Sequence, residues 1–132
     1  ISKIKIMSVL NKLFGSNDTP SENKPTFWKK IESLDNFNAA IEESKTRKVG
    51  IFKHSTRCFI SKTVLKNFEK EVNESNSEVS FYFLDLIAFR SISNLIADQL
   101  EVTHQSPQLI VIENGKAIKD ASHQSIELSI TQ

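Results

Sequence analysis

Short apolar segments alternate with longer amphipathic ones along this chain, and that alternation limits the folds it can adopt. Residues 48–53 contain a compact apolar run, which is typical of a strand buried on both faces. Residues 60–72 carry apolar side chains at helical spacing, and residues 78–86 are rich in β-forming side chains. This order predicts a β-α-β unit, whose two strands are parallel neighbours because such crossovers are right-handed.

The C-terminal part has the pattern of a β-hairpin. Residues 108–112 are apolar, and the dipeptide Asn114-Gly115 that follows is a strong signal for a two-residue turn. We expect residues 116–118 to return as the antiparallel partner. A last helix is predicted to begin near Ser122.

Two more helices are predicted from apolar periodicity behind a capping residue. Ser33 precedes a helix over residues 34–45, and Ser91 precedes one over residues 92–100. The complete order predicts an α/β domain with a mixed four-stranded sheet, helices on both faces and one extra N-terminal helix. This is the layout of a thioredoxin-like fold.

Length and composition indicate one domain preceded by a separate segment. The chain has 132 residues, which suits a single core. Residues 15–25 are polar and contain proline, so we predict a flexible segment over residues 1–26 and the thioredoxin-like domain over residues 27–132. Met7 is a second candidate for the natural start of the chain.

Charge and cysteine content argue against several classes of function. The formal net charge is +1 without a long basic run, so nucleic acid is not an expected partner. No stretch of the sequence approaches the roughly 20 apolar residues of a membrane span. A single cysteine cannot form an internal disulfide and indicates a reducing compartment, so we expect a cytoplasmic protein.

The predicted topology brings three chemically interesting residues to one edge of the sheet. Cys58 follows the first strand of the β-α-β unit, and Arg90 follows the second, parallel strand. Pro107 precedes the third strand, which runs in the opposite direction, so its start lies at the same edge. We therefore expect these residues to form one site.

The residues around Cys58 predict a reactive thiol. A helix begins close behind it, and the free N–H groups and the dipole of a helix N-terminus favour the thiolate. Arg57 adds a positive charge, and Thr56 and Ser61 offer hydroxyl donors that could stabilise the thiolate. The alternative is a small, buried and inert cysteine, but the polar residues before Cys58 favour reactivity.

Ser61 stands where a Cys-x-x-Cys motif would have its second sulfur. A hydroxyl cannot resolve a mixed disulfide, so the chemistry left open is monothiol exchange with a thiol from outside. Pro107 is either an ordinary trans proline at a strand start or a cis proline, as in the thioredoxin fold.

The three histidines do not predict a metal site, because their spacing to the one cysteine matches no standard zinc motif. His54 is expected to face solvent at the end of a strand, and the alternative is a ring that turns back to tune Cys58. His104 and His123 are expected in loops or on the surface.

Several ordered blocks of the sequence resemble the monothiol bacilliredoxins, thioredoxin-fold proteins of the bacillithiol system. The resemblance covers about residues 28–130. The blocks are FKHSTRC at 52–58, IS at 60–61, FLDLIAFR at 83–90, ISN at 92–94, VTHQSPQ at 102–108, NGK at 114–116 and ASH at 121–123.

This resemblance implies a thiol–disulfide oxidoreductase that removes bacillithiol from S-bacillithiolated proteins. Cys58 would attack, take the bacillithiol onto itself and be released by a second small thiol. Arg90, Ser106 and Pro107 would bind the substrate. We expect no bound cofactor, with bacillithiol as the thiol co-substrate, and a monomer whose partners are S-bacillithiolated proteins and bacillithiol.

Bacillithiol carries a malate with two carboxylates, so its site should offer cations. Arg57, Arg90 and Lys62 are the candidates, the arginines with bidentate geometry. Two positions depart from the family pattern. Phe59 follows the cysteine where the family usually has proline, and Ser91 follows Arg90 where proline is frequent. Phe59 in particular bears on reaction rate and choice of partner.

Two other functions fit the same residues. In the first, the protein is a non-catalytic thioredoxin-like module that holds an extended peptide near Pro107, and Cys58 is incidental. In the second, the monothiol chemistry is the same but the carrier is another small thiol, such as glutathione or coenzyme A.

Overall fold

The computed structural model describes residues 27–132, in which strands and helices alternate as the sequence predicts. The predicted flexible segment over residues 1–26 lies outside the described residues. The strands are β1 (Lys29–Lys30), β2 (Val49–His54), β3 (Ser80–Asp85), β4 (Gln108–Glu113) and β5 (Lys116–Ser122). The helices are α1 (Leu34–Glu43), α2 (Phe59–Asn73) and α3 (Arg90–Leu100). None of the helices in residues 27–132 is long and apolar enough to cross a membrane.

The sheet is mixed and has the strand order β1-β3-β2-β4-β5. Strand β2 is parallel to β3 and antiparallel to β4, and β5 is the antiparallel hairpin partner of β4. The predicted thioredoxin-like α/β fold is therefore confirmed. The sheet has a fifth strand that was not predicted, because Lys29 and Lys30 pair in parallel with Tyr82 and Phe83. The strand could not be predicted because it consists of two exposed lysines, which show no alternation of apolar and polar side chains.

The side chains of β2 alternate between two apolar clusters, one on each face of the sheet. The cluster under α1 and α3 includes Val49 and Ile51, and the cluster under α2 includes Phe52. Gly50 lies opposite Phe81, and a Cβ on Gly50 would come within 3.0 Å of that ring. The strand is buried along its whole length, as its apolar run predicts.

The first helix begins as predicted, but the third does not. Ser33 is the N-cap of α1, and its hydroxyl accepts the N–H of Asn36 over 3.1 Å. Ser91 was predicted to cap α3, but the N-cap is Phe89. The helix starts earlier because the carboxylate of Asp85 accepts two backbone N–H groups in the turn after β3, which leads the chain directly into the first helical turn.

The last predicted helix is absent from the described residues, and two short 3₁₀ helices, His123–Ser125 and Leu128–Thr131, lie in its place. Between them Ile126 is extended, with φ −72° and ψ 116°, and is buried in the cluster that contains Phe68. A continuous helix would not let the chain fold Ile126 onto α2 in this way.

The predicted hairpin turn is confirmed. Asn114 and Gly115 have φ values of 53° and 76°, the left-handed conformation that a two-residue turn of this kind requires at both positions. The turn is fixed to the end of α1, because Ser44 accepts both turn N–H groups, with its carbonyl oxygen and its hydroxyl.

Candidate active site

The strand register confirms that three segments meet at one edge of the sheet. His54, the last residue of β2, pairs with Asp85, the last residue of β3. Lys53 pairs with Gln108, the first residue of β4. The loop that carries Cys58, the start of α3 and the loop before β4 therefore lie at the same edge.

Cys58 is the N-cap of α2 and is half-buried. Its N–H donates to the carbonyl oxygen of Ser55 over 3.2 Å, and its own carbonyl oxygen accepts the N–H of Lys62 over 3.1 Å. The backbone is thus held on both sides of the thiol. The sulfur makes no capping hydrogen bond, and it lies at the helix end where N–H groups lack helical partners.

The turn between β2 and α2 exposes residues on both sides of the thiol. Thr56 and Arg57 lie exposed in this turn. Phe59, the first residue of α2, has 80% of its surface exposed, an unusual position for a large ring. Arg57 and Phe59 therefore offer a cation and an apolar surface next to the sulfur.

His54 does not face solvent, so that expectation was wrong. It is 5% exposed, because side-chain alternation along β2 turns it, like Phe52, toward α2. Its Nδ1 lies 2.8 Å from the hydroxyl oxygen of Ser61, which also accepts the N–H of Ser55 over 3.1 Å. The structure thus joins Ser61 to His54, whereas the sequence suggested a bond from Ser61 to the thiolate.

Charges from two elements act on the His54 ring. Burial lowers the pKa of His54 below its ordinary value of 6.5, Asp85 opposes the shift, and Lys62 adds to it. The ring of Phe83 lies beside it, with 5.5 Å between the ring centroids. Near neutral pH the imidazole is therefore mostly uncharged.

Lys53 is a buried cation that the sequence analysis overlooked. None of its surface is exposed, and its Nζ donates to the carbonyl oxygen of Ser93 over 3.0 Å. Its Nζ also lies 3.4 Å from Nδ1 of His104, and burial lowers the pKa of Lys53 to about 8. The burial of Lys53 could have been predicted from the sequence, because side-chain alternation along the strand places it on the same face as the apolar Ile51.

Arg90 and His104 lie on the same side as Lys53. Arg90 is the exposed first residue of α3. Burial lowers the pKa of His104, and the charges of Lys53 and Arg90 lower it further. His104 lies in a loop, as predicted, and is half-buried. The structure therefore brings two cations, Arg90 and Lys53, close enough to His104 for both charges to act on its ring.

The peptide bond between Ser106 and Pro107 is cis, the alternative that the thioredoxin fold favours. Pro107 is buried, and its carbonyl oxygen accepts the N–H of His123 over 3.0 Å. The hydroxyl of Ser106 is buried and has no hydrogen-bond partner among residues 27–132. The loop before β4 therefore offers the Ser106 hydroxyl as a polar group that forms no hydrogen bond with residues 27–132.

An apolar groove of about 280 Å³ begins at Phe59, the residue that follows Cys58. It runs from the first turns of α2 to the first 3₁₀ helix, and one wall is the exposed ring of Phe59. Its lining residues are Phe59, Ile60, Thr63, Val64, Asn67, Gln124 and Ile126. Within residues 27–132 no group of three His, Cys, Asp or Glu side chains is arranged to share a metal ion.

A mixed sheet with a thiol at the N-cap of α2 and a cis proline at the start of β4 defines the thioredoxin-fold class of redox proteins. Residues 29–130 match the family described as Monothiol bacilliredoxin BrxC, and the chain belongs to this family. The resemblance read from the sequence is thus confirmed, and with it a thiol redox role.

Solved structures agree with this assignment. One described as a candidate oxidoreductase with a thioredoxin fold is 31% identical, has a TM-score of 0.69, and covers 80% of this chain and 94% of its own. The thioredoxins Mala s 13 from Malassezia sympodialis and that of Fasciola hepatica are 22% and 20% identical, each with a TM-score of 0.59. Their alignments cover 76% and 77% of this chain and 81% and 91% of theirs, and they share its fold.

Proposed function

We propose that this protein is a monothiol thiol–disulfide oxidoreductase that removes bacillithiol from S-bacillithiolated proteins. The observation that carries the proposal is the half-buried Cys58 thiol at the N-cap of α2 in a member of the monothiol bacilliredoxin family. A thiol at this position is held by a fixed backbone and reached from solvent.

The reaction consists of two displacements at sulfur. First, the Cys58 thiolate attacks the bacillithiol sulfur of the modified protein, and the electron pair of the broken S–S bond leaves on the protein's cysteine sulfur. Second, a bacillithiol thiolate attacks the sulfur now attached to Cys58. The S–S bond breaks again, Cys58 regains its thiolate, and oxidised bacillithiol departs.

The second step needs an external thiol because the chain has no other cysteine. Ser61 occupies the position three residues after Cys58, and its hydroxyl cannot attack a disulfide. The mixed disulfide on Cys58 is therefore an intermediate that accumulates when small thiols are scarce. This makes the adduct itself a convenient observable.

Exposed cations suit the malate carboxylates of bacillithiol. Arg57 precedes the thiol, Lys62 is exposed in the first turns of α2, and Arg90 is exposed at the start of α3. The charge of Arg90 acts on His104 together with the charge of Lys53, so a second cation lies in the same region. We assign the carboxylates to Arg57 and Arg90 first, because a guanidinium binds a carboxylate with two parallel hydrogen bonds.

The apolar groove suits the protein part of the substrate. Phe59 and the groove behind it would receive an apolar side chain next to the modified cysteine, and the loop of Ser106 and Pro107 would lie along the substrate backbone. A small-molecule disulfide alone would leave this surface unused, so protein substrates are favoured over oxidised bacillithiol.

The test uses the full chain and a carrier protein with one S-bacillithiolated cysteine. We expect intact-mass spectrometry to show loss of bacillithiol from the carrier and one bacillithiol mass added to Cys58. Cys58→Ser should abolish both changes. Carriers modified with glutathione or coenzyme A serve as the comparison for the other small thiols.

Two results would end the proposal. Undiminished bacillithiol removal by Cys58→Ser would show that the thiol is not the nucleophile. Equal or faster removal of glutathione or coenzyme A would show that bacillithiol is not the preferred carrier.

A further inference from the structure

We propose that the apolar groove beginning at Phe59, together with two lysines of α2, binds a segment of the substrate protein that is both apolar and acidic. This inference rests on the proposed exchange between Cys58 and protein substrates, and it adds the chemistry of the segment around the modified cysteine. It comes from one arrangement, an apolar groove next to cations that have no acidic partner among residues 27–132.

The groove follows the first half of α2 and starts next to the thiol. Its lining residues on this helix run from Phe59 to Asn67, a rise of about 12 Å along an α-helix. Phe59 and Ile60 keep 80% and 44% of their surfaces exposed, although both are large apolar side chains. About four residues of extended chain span the same length, so a short segment beside the modified cysteine is long enough to fill the groove.

Two exposed lysines lie next to residues that line the groove. Lys62 and Lys66 directly precede the lining residues Thr63 and Asn67. The two lysines are four residues apart, so they share one face of α2. Neither forms an ion pair with an acidic side chain in the part of the chain that the structure describes. Both charges are therefore free to act on a bound partner.

This placement of charge is unfavourable for the helix itself. The N-terminal end of a helix is positive and favours acidic side chains, yet the first turn of α2 has none. Lys62 and Lys66 also repel each other, because like charges four residues apart are neighbours on the helix surface. The stability of α2 does not explain these cations, and a negatively charged partner would offset their repulsion.

The two acidic residues of α2 do not neutralise the lysines. Glu69 accepts the indole N–H of Trp28 over 2.7 Å, and Glu71 accepts the backbone N–H of Leu128 over 3.3 Å. Each carboxylate thus has a hydrogen-bond donor from another part of the fold. The positive charge next to the groove therefore remains for a partner from outside.

Charge also distinguishes the possible occupants of the groove. Residues 1–26 carry four lysines and two acidic residues, so this segment of the chain would bring further positive charge to Lys62 and Lys66. A second copy docked through the same surface would place its own two lysines against these. A substrate segment with an apolar side chain and acidic neighbours fits both the groove and the lysines.

The test uses the full chain and a peptide probe that needs no bacillithiol. The probe has the symmetric sequence Glu-Glu-Leu-Cys-Leu-Glu-Glu, with thionitrobenzoate attached to its cysteine through a disulfide. The Cys58 thiolate attacks the peptide sulfur, the S–S bond breaks, and its electron pair leaves on the coloured thionitrobenzoate thiolate. One matched peptide has lysine in place of glutamate, and another has serine in place of leucine.

We expect the acidic apolar peptide to react about threefold to tenfold faster than either matched peptide at low salt. Its advantage over the lysine peptide should shrink at high salt, because exposed charges are screened. Its advantage over the serine peptide should persist at high salt and should fall in Phe59→Ala. Each rate is divided by the rate of the same peptide with N-acetylcysteinamide, a neutral thiol, which removes differences between the peptides themselves.

The double variant Lys62→Gln/Lys66→Gln should remove most of the preference for the acidic peptide over the lysine peptide. The matched control is Lys70→Gln/Lys119→Gln, which removes the same net charge beyond the end of the groove and in β5. This control should keep the preference. Alkylation of Cys58 by iodoacetamide, an uncharged reagent, corrects both variants for any change in the reactivity of the thiol itself.

Equal corrected rates for the acidic and lysine peptides would overturn the proposal, and so would equal losses in the two double variants. Competition by a synthetic peptide of residues 1–26 would assign the groove to the chain's own segment and overturn it as well. A dimer in sedimentation that Phe59→Ala dissociates would assign the groove to a second copy, with the same consequence. A protein that prefers the acidic peptide but removes no bacillithiol refutes the proposed function and leaves this inference standing.

Discussion

The ammonium group of Lys53 donates to the backbone carbonyl oxygen of Ser93 over 3.0 Å, inside the protein and with no exposed surface on the lysine. Its second neighbour is His104, 3.4 Å away. One buried cation thus joins the end of β2 to α3 and to the loop before β4. These are the segments that carry Cys58, Arg90 and Pro107, so Lys53 holds the edge of the candidate site together.

Lys53 should give the protein an unusual dependence of stability on pH. Its pKa is about 8 in the fold and 10.5 ordinarily, so between these values the unfolded chain binds more protons than the folded one. The free energy of unfolding due to this group therefore rises with pH over that window, by about 1–3 kcal/mol, and is flat below it. Denaturant unfolding at several pH values measures the effect.

The variant Lys53→Met should lack this rise. We expect the difference in unfolding free energy between wild type and Lys53→Met to change across the window from pH 8 to 10.5. Lys119→Met, at an exposed lysine of β5, is the control and should follow the wild type. Parallel curves for wild type and Lys53→Met would contradict the burial of a charged amine at this position.

Arg90 should contribute to binding the small-thiol part of the substrate. Arg90→Gln is expected to raise KM for S-bacillithiolated protein by about fivefold to tenfold, because a charge-assisted pair with a carboxylate is lost at an exposed position. Arg90→Lys should recover part of the loss, since it keeps the charge without the bidentate geometry. Lys70→Gln removes an exposed charge far along α2 and should leave KM unchanged.

Phe59→Pro should be tolerated by the fold. Phe59 is the first residue of α2 and is 80% exposed, and proline suits this helical position because the N–H there has no helical partner. We expect the free energy of unfolding to stay the same or rise by up to about 1 kcal/mol. Lys66→Pro, in the exposed middle of the same helix, should cost about 3 kcal/mol or more. Equal losses in the two variants would show that α2 begins elsewhere.

Ser61→Cys should convert the monothiol site into one that resolves its own adduct. A thiol three residues after Cys58 at a helix N-terminus is placed to attack the mixed disulfide. We expect the bacillithiol adduct on Cys58 to become transient and an internal disulfide, lacking two hydrogens by mass, to replace it. A long-lived adduct in this variant would mean that the two side chains do not meet.

Ser44→Ala should loosen the contact between the hairpin turn and α1. The Ser44 hydroxyl accepts the N–H of Gly115 over 2.9 Å, and the substitution leaves that N–H without its partner. We expect a loss of about 1–2 kcal/mol in the free energy of unfolding. Ser129→Ala, at an exposed serine near the C-terminus, should change it by less than about 0.5 kcal/mol.

The position of much of the site could be predicted from the sequence, because the order of the elements determines which strands are parallel. The edge shared by Cys58, Arg90 and Pro107 depends only on which strands are parallel, and the observed register bears this out. The hairpin could also be predicted, since Asn114 and Gly115 both readily adopt the left-handed conformation that its turn needs. Ser91, in contrast, was a plausible N-cap but lies inside α3. The helix begins earlier, after a turn in which Asp85 accepts backbone N–H groups.

By itself, the sequence determined the order of the elements from α1 to β5, the edge where the thiol lies and the restriction to one thiol. The first two depend on local periodicity and on turn dipeptides, which involve only residues that are close together in the sequence. The third depends only on the number of cysteines. Only the tertiary structure decided that β1 completes the sheet, that Lys53 is buried against Ser93, and that His54 bonds to Ser61. Such contacts depend on which side chains meet when elements pack, and packing depends on segments that are distant in the chain.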